Sequence, residues 1–190
     1  MEFAGTGLDP EGTPPVSCEN PAGTPPDPDA RVLFPLFIDM RNRPVLLIGG
    51  GAVAERRAQI LLRFGAAVTV LSPEITPEIA RLTENKKLRY IRKEYEPGDI
   101  ARAAPFLIIA ATGRREVNRA VGEEASARGV LAVIADDWRG SPCFFPALAE
   151  SEAFIAGLTS KNGNHKGTKD MAKQIRRALT PPAAKEREIL

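Results

Sequence analysis

The sequence predicts an α/β protein: a doubly wound parallel sheet followed by a small strand-and-helix unit. Two observations carry this expectation. Short apolar runs alternate with helix-patterned stretches from Val45 to Ala135, as helix-covered parallel strands require. The first run, Val45–Ile48, leads directly into Gly49-Gly50-Gly51-Ala52-Val53-Ala54. Gly49, Gly51 and Ala54 fit the G-x-G-x-x-G/A turn of Rossmann-type dinucleotide sites. There the first glycine makes the turn, the second admits a pyrophosphate, and the small third residue lets the helix lie close on the sheet.

The elements follow in order. Leu33–Met40 is an apolar segment expected to pack against the sheet. Val45–Ile48 is the first strand. Ala52–Phe64 is a helix with Ile60, Leu61 and Phe64 inward and Gly65 at C′. Val68–Leu71 is the second strand, Pro77–Glu84 a helix and Leu88–Ile91 the third strand. Phe106–Ala110, wholly apolar, reads as a strand covered on both faces. Arg115–Arg128 is a helix stopped by Gly129, and Val130–Ala135 is the fifth strand. Beyond it the alternation ends. The turn Asp136–Pro142 leads to Cys143-Phe144-Phe145-Pro146, a strand at Ala153–Leu158 and an amphipathic helix at Thr168–Leu179. Thr168 reads as the helix N-cap, and Met171, Ala172, Ile175 and Leu179 as its apolar stripe. This last unit is too small for its own core and must pack on the sheet or on a second subunit.

Composition narrows the function classes. Of the 190 residues 43% are hydrophobic and 26% charged, ordinary for a globular chain. No apolar run approaches the ~20 residues of a membrane span, and the N-terminus lacks a secretory pattern. Cys18 and Cys143 make no disulfide framework, which points to a reducing cytoplasm. A single histidine, His165, excludes a multi-histidine metal site within one subunit. Residues 1–31, rich in Pro and Gly, carry six acids against one arginine, so that the remainder is +7. That charge suits a small polyanion and is too dispersed for nucleic acid. The same segment has too few large apolar residues to offset ordering and reads as a disordered tail.

Chemistry is expected at the carboxyl ends of the strands, where such sheets bind ligands. Glu74 follows the second strand twenty residues beyond Ala54, where an acid grips ribose hydroxyls; it equally fits a helix start. No arginine lies between Ser72 and Thr76 to meet a 2′-phosphate, which favours NAD over NADP. Thr112, after the fourth strand, offers a hydroxyl, or marks a plain strand-to-turn transition, and Asn118 supports the next helix turn. Asp136 and Asp137 end the fifth strand; a carboxylate there suits proton removal beside a hydride transfer, and equally an Asp-Asp turn. His165 and the lysines of Lys161–Lys166, with Arg139, suit ligand carboxylates or a solvated loop. The Tyr-x-x-x-Lys, P-loop and Gly-x-Ser-x-Gly patterns are absent.

Taken together, these segments resemble the precorrin-2 dehydrogenase family, which includes the N-terminal module of siroheme synthases. The matching text is Phe34–Met40, Val45–Ala58, Ile108–Asn118, Ile134–Trp138 and Phe144–Ala147. The resemblance implies NAD-dependent oxidation of precorrin-2 to sirohydrochlorin, with iron insertion in some members. It implies a homodimer with the Rossmann domain at 32–142, a dimerisation and helical region at 143–182 and a flexible end at 183–190. Residue by residue, it places cofactor contacts at Ala52, Val53, Pro73 and Glu74, beside Gly49, Gly51 and Thr112. It places the catalytic aspartate at Asp136 and an active-site serine at Ser160. Arg139, Ser160, Lys161 and His165 are the candidate substrate contacts; no metal ligand is assigned. Two departures stand out: Gly113 where the family often has an acid, and Lys161–Lys166 in place of Gly-Gly-x-Ser-Pro. The alternative is a non-catalytic NAD-sensing module. The expectation is one crevice in which nicotinamide and a carboxylate-bearing macrocycle meet.

Overall fold

The computed structural model describes residues 31–137 and 139–179. The expected disordered tail at 1–31 lies, apart from Arg31, outside the described residues, as do Trp138 and the C-terminal segment from 180. Five strands, β1 (Pro44–Ile48), β2 (Ala67–Leu71), β3 (Arg89–Ile91), β4 (Leu107–Ala110) and β5 (Leu131–Ile134), form one sheet. Their order is β3-β2-β1-β4-β5, and every pairing is parallel. The chain leaves β1 toward one edge through β2 and β3, then returns to β1's other side as β4. That reversal puts the crevice for a ligand between β1 and β4.

The strands are apolar throughout because both faces are covered. Val45 and Leu47 of β1 point to one face with Val68, Val70 and Ile109, under α1 (Ala52–Arg63) and α2 (Pro77–Glu84). Leu46 and Ile48 point to the other with Ile108, Ala110 and Ala132. There they meet Ile100 of α3 (Asp99–Ala103) and Val121 and Ala125 of α4 (Arg115–Ala127). Ala54 and Ala58 are fully buried under α1, so a larger side chain at either would push the helix off the sheet. Gly65 takes φ +75° just past α1, the left-handed stop expected of it.

A hairpin of β6 (Ala147–Glu150) and β7 (Ile155–Leu158) follows, with α5 (His165–Leu179) packed on it. The hairpin's approach is pinned to β5. Ser141 Oγ, fully buried, accepts from Ile134 N–H and donates to the Cys143 carbonyl. The Cys143 thiol points at the Ala132 carbonyl, and burial pushes its pKa up to about 11.

Four expectations are corrected. Leu33–Met40 does not pack on the sheet: Phe34 is 86% exposed and Leu36 and Phe37 more than 60%. Both sheet faces are already filled by helices, and only Met40 reaches the core. Residues 153 and 154 belong to the hairpin turn, where the Ser151 N–H donates to the Phe154 carbonyl and Ser151 Oγ accepts from the Phe154 N–H. The helix expected at Thr168 begins at His165. Its cap is Asn164, whose Oδ1 accepts from Gly167 N–H, while Thr168 Oγ1 donates back to the Asn164 carbonyl. Met171 is exposed, and the inward stripe of α5 runs through Thr168, Ala172, Ile175 and Leu179. Two short elements, α3 and β6, carry too little periodicity to be read in advance.

Candidate functional site

The glycine turn is shaped by what presses on it. Gly49 has φ +120°, and a β-carbon there would strike the Ala111 carbonyl at the end of β4. Gly50 sits against the chain after β2, where a β-carbon would overlap the Glu74 carbonyl. Gly51 faces open space, with nothing within 4 Å of a β-carbon position. The first two glycines are therefore needed for packing, and the third leaves the approach to α1 clear. Gly50 was not singled out by the sequence pattern. Its requirement arises from Glu74 and Ile75, brought beside it by the Thr76 N–H bond to the Gly50 carbonyl at 3.0 Å.

A crevice of about 490 Å³ opens at this turn, lined by Ile48–Gly51, by Ser72–Thr76 after β2 and by Ala111–Arg114 after β4. Gly51 is the N-cap of α1 and offers no side-chain acceptor, so the first-turn amides are available to an anion. Pro73, Glu74 and Thr112 line the crevice. Ala52 and Val53 do not; both are exposed, and only their backbone amides belong to the turn. Across the mouth Arg114 pairs with Glu94 at 3.3 Å and with Glu116 at 2.9 Å. The Glu116 bond, then the Glu94 charge, raise the Arg114 pKa. Tyr95, on the same wall, donates to Glu124 at 2.5 Å; burial first, then that bond, hold its hydroxyl protonated.

Asn118 is the residue whose role the sequence understated. It is 1% exposed and joins two parts of the site. Its Oδ1 accepts from the Thr112 N–H at 3.0 Å and the Thr112 hydroxyl at 2.8 Å. Its Nδ2 donates to the Thr112 carbonyl at 3.1 Å and to Asp136 Oδ1 at 2.9 Å. The amide orientation follows from Thr112, whose N–H can only donate. The Thr112 hydroxyl is engaged within the protein: besides Asn118 it faces the Arg114 carbonyl at 3.0 Å and accepts from the Arg114 N–H at 3.2 Å. Asp136 is held at its other oxygen by Arg115 at 3.7 Å. Asp137 serves the turn instead, its Oδ1 accepting from Gly140 N–H at 2.9 Å.

Among the described residues, those expected to share a single crevice are divided among separate cavities. Asp136 lines one of about 930 Å³ along α4 and β5, with Arg115 and Asn118. Another, about 590 Å³, lies between α1, the end of β5, the hairpin and α5; Ser160 and His165 line it. Ser160 Oγ accepts from the Asn164 N–H at 2.7 Å and shapes the loop before α5. Lys161 and Arg139 line none of the three. Their carbonyls instead receive Arg31, through its backbone N–H at Lys161 and its guanidinium at Arg139. Among the described residues, no group of three or more His, Cys, Asp or Glu is placed to hold a metal ion. None of their helices is long and apolar enough to cross a membrane.

The parallel sheet with its reversal at β1, the glycine turn and the open helix N-terminus define a dinucleotide-binding α/β domain. The family model NAD_binding_7, described as "Putative NAD(P)-binding", matches residues 36–147, and the chain belongs to that family. It is 41% identical over 145 residues to the "Probable multifunctional siroheme biosynthesis protein HemA" of Ruminiclostridium josui, covering 76% of this chain and 28% of that one. It is 38% identical over 127 residues to "Siroheme synthase 1" of Aeromonas salmonicida (strain A449), covering 67% and 27%. The chain thus spans about a quarter of the length of these curated relatives. Among solved structures, "SirC, precorrin-2 dehydrogenase" superposes with a TM-score of 0.66 at 24% identity, covering 78% of this chain and 72% of that one. The resemblance read from the residues is therefore met in sequence relatives and in fold.

Proposed function

We propose that the protein oxidises precorrin-2 to sirohydrochlorin with NAD as hydride acceptor. The observation that carries this is the Thr112–Asn118–Asp136 chain of hydrogen bonds. It ties a carboxylate beyond β5 to the wall of the dinucleotide crevice. In a doubly wound sheet the nucleotide lies across the reversal point. Pro73 and Glu74 after β2 would hold the adenosine half, and the end of β4, whose Thr112 is tied through Asn118 to Asp136, would receive the nicotinamide half. Gly49, Gly51 and the amides of Ala52 and Val53 receive the pyrophosphate. Glu74 takes the ribose hydroxyls, and the lack of an arginine from Ser72 to Thr76 favours NAD over NADP. The nicotinamide supplies the hydride acceptor. Asp136, held by Asn118, accepts the proton that leaves the macrocycle.

We further assign nucleotide binding to residues 32–142 and dimerisation to 143–182, in a cytoplasmic homodimer. The exposed Phe34, Leu36 and Phe37 before β1, and Phe154 in the hairpin turn, support a second subunit, because large apolar side chains left in water come at a cost. Sedimentation of the full chain checks it: a dimer is expected, and a monomer at micromolar concentration sinks this assignment.

The reaction itself is tested with purified protein, precorrin-2 and either dinucleotide. NADH formation together with the sirohydrochlorin absorption spectrum is expected, with NADP the poorer acceptor. NAD binding without turnover favours the sensing module.

A further inference from the structure

Arg57 presents a charge that the fold leaves unspent. It lies on α1 with its guanidinium over the Phe145 ring, 5.4 Å from the centroid. Its Nε and Nη1 are buried and have no hydrogen-bond partner among the described residues. Burial, and secondarily the neighbouring Arg56, lowers its pKa. A buried guanidinium with empty donors is costly unless an anion completes it. The surroundings supply none. Arg57 lines the 590 Å³ cavity together with Arg56, Phe145, Ser160, His165 and Lys169. Its acidic lining residue, Glu150, is paired with Arg63 at 2.6 Å. Arg176, also in the lining, turns its guanidinium to the Leu148 carbonyl at 2.8 and 3.0 Å. Arg56 and Lys169 form no ion pair with described residues, so the free part of the wall is cationic.

We propose that Arg57 is a carboxylate receptor: its Nη2, the guanidinium nitrogen not enclosed by the protein, binds one acidic side arm of a polycarboxylate ligand seated between α1, the hairpin and α5. The planar fork of a guanidinium stays charged while stacked on an aromatic ring, which a lysine does not reproduce. Phe145 holds the fork in plane from one side. Arg56 and Lys169 supply long-range attraction, and Ser160 shapes the loop that closes the cavity. The ligand class rests on the proposed function, since a macrocycle with eight carboxylates has arms to spare for a site beside β5.

Titration of the protein with sirohydrochlorin, followed by its absorption, tests this in wild type, Arg57→Met and Arg57→Lys. The Met variant is expected to bind about 10- to 100-fold more weakly, the size of one or two charge-assisted hydrogen bonds. The Lys variant recovers only part. NAD affinity is unchanged in both. Thermal melting separates this from a structural role. Removing an unpaired buried charge leaves Tm unchanged or raises it, whereas loss of a structural contact lowers it. Equal sirohydrochlorin affinity in wild type and Arg57→Met overturns the assignment alone. So does a fall in Tm that accounts for the lost binding. A wild-type protein that neither binds sirohydrochlorin nor turns over precorrin-2 overturns it together with the proposed function.

Discussion

Asp136→Asn is expected to lower kcat for precorrin-2 oxidation by about 10²- to 10⁴-fold, the range supplied by a positioned acid–base group. The substitution is nearly isosteric. The Asn118 Nδ2–H that now reaches Asp136 Oδ1 at 2.9 Å still finds a carbonyl oxygen. Fold and NAD affinity are therefore retained, and the loss belongs to the proton-accepting step. Steady-state kinetics with a parallel NAD titration read the two apart. Full activity in the variant removes Asp136 from the chemistry. Asn118→Leu has a different signature. It strands the Thr112 N–H and releases Asp136 at once, so stability falls by about 1–3 kcal/mol along with kcat. A variant that melts lower but keeps kcat marks Asn118 as structural only.

The second large effect is expected at Gly50. Gly50→Ala places a methyl group on the Glu74 carbonyl, with Ile75 Cγ2 and Ser72 Oγ both 2.9 Å away. Backbone cannot step aside as a side-chain tip does. The cost is about 1–3 kcal/mol or more, and the β1–α1 turn moves away from the strand-2 loop that carries Pro73 and Glu74. Both Tm and NAD affinity fall. Gly51→Ala provides the contrast, because nothing lies within 4 Å of the added carbon. Its Tm matches wild type while NAD binds about tenfold or more weakly, each tenfold being about 1.4 kcal/mol. Calorimetric titration and melting of the pair decide it. If Gly51→Ala binds NAD normally, the pyrophosphate does not pass over that residue.

Much of this domain was legible in one dimension. The four-residue apolar runs, Gly65 and Gly129 at helix ends, and Pro77 opening α2 are local signals. They placed five strands and three of the helices within a few residues. The fold class followed, because helices alternating with apolar strands have few ways to bury both. Gly49 and Ala54 were legible for the same reason: each is demanded by the turn or helix it belongs to.

What the sequence alone determined was thus everything set by neighbours along the chain: the βα alternation, the glycine turn, and the placing of Glu74 and Asp136 after their strands. The tertiary structure decided the rest, because its causes are contacts between distant residues. Gly50 matters only where the strand-2 loop touches it, and Asn118 becomes a bridge only where β4 and β5 lie side by side. Leu33–Met40 looked like core and lies exposed because helices had already taken both sheet faces. The unmet donors of Arg57 exist only once α1, Phe145 and the hairpin exclude water around them.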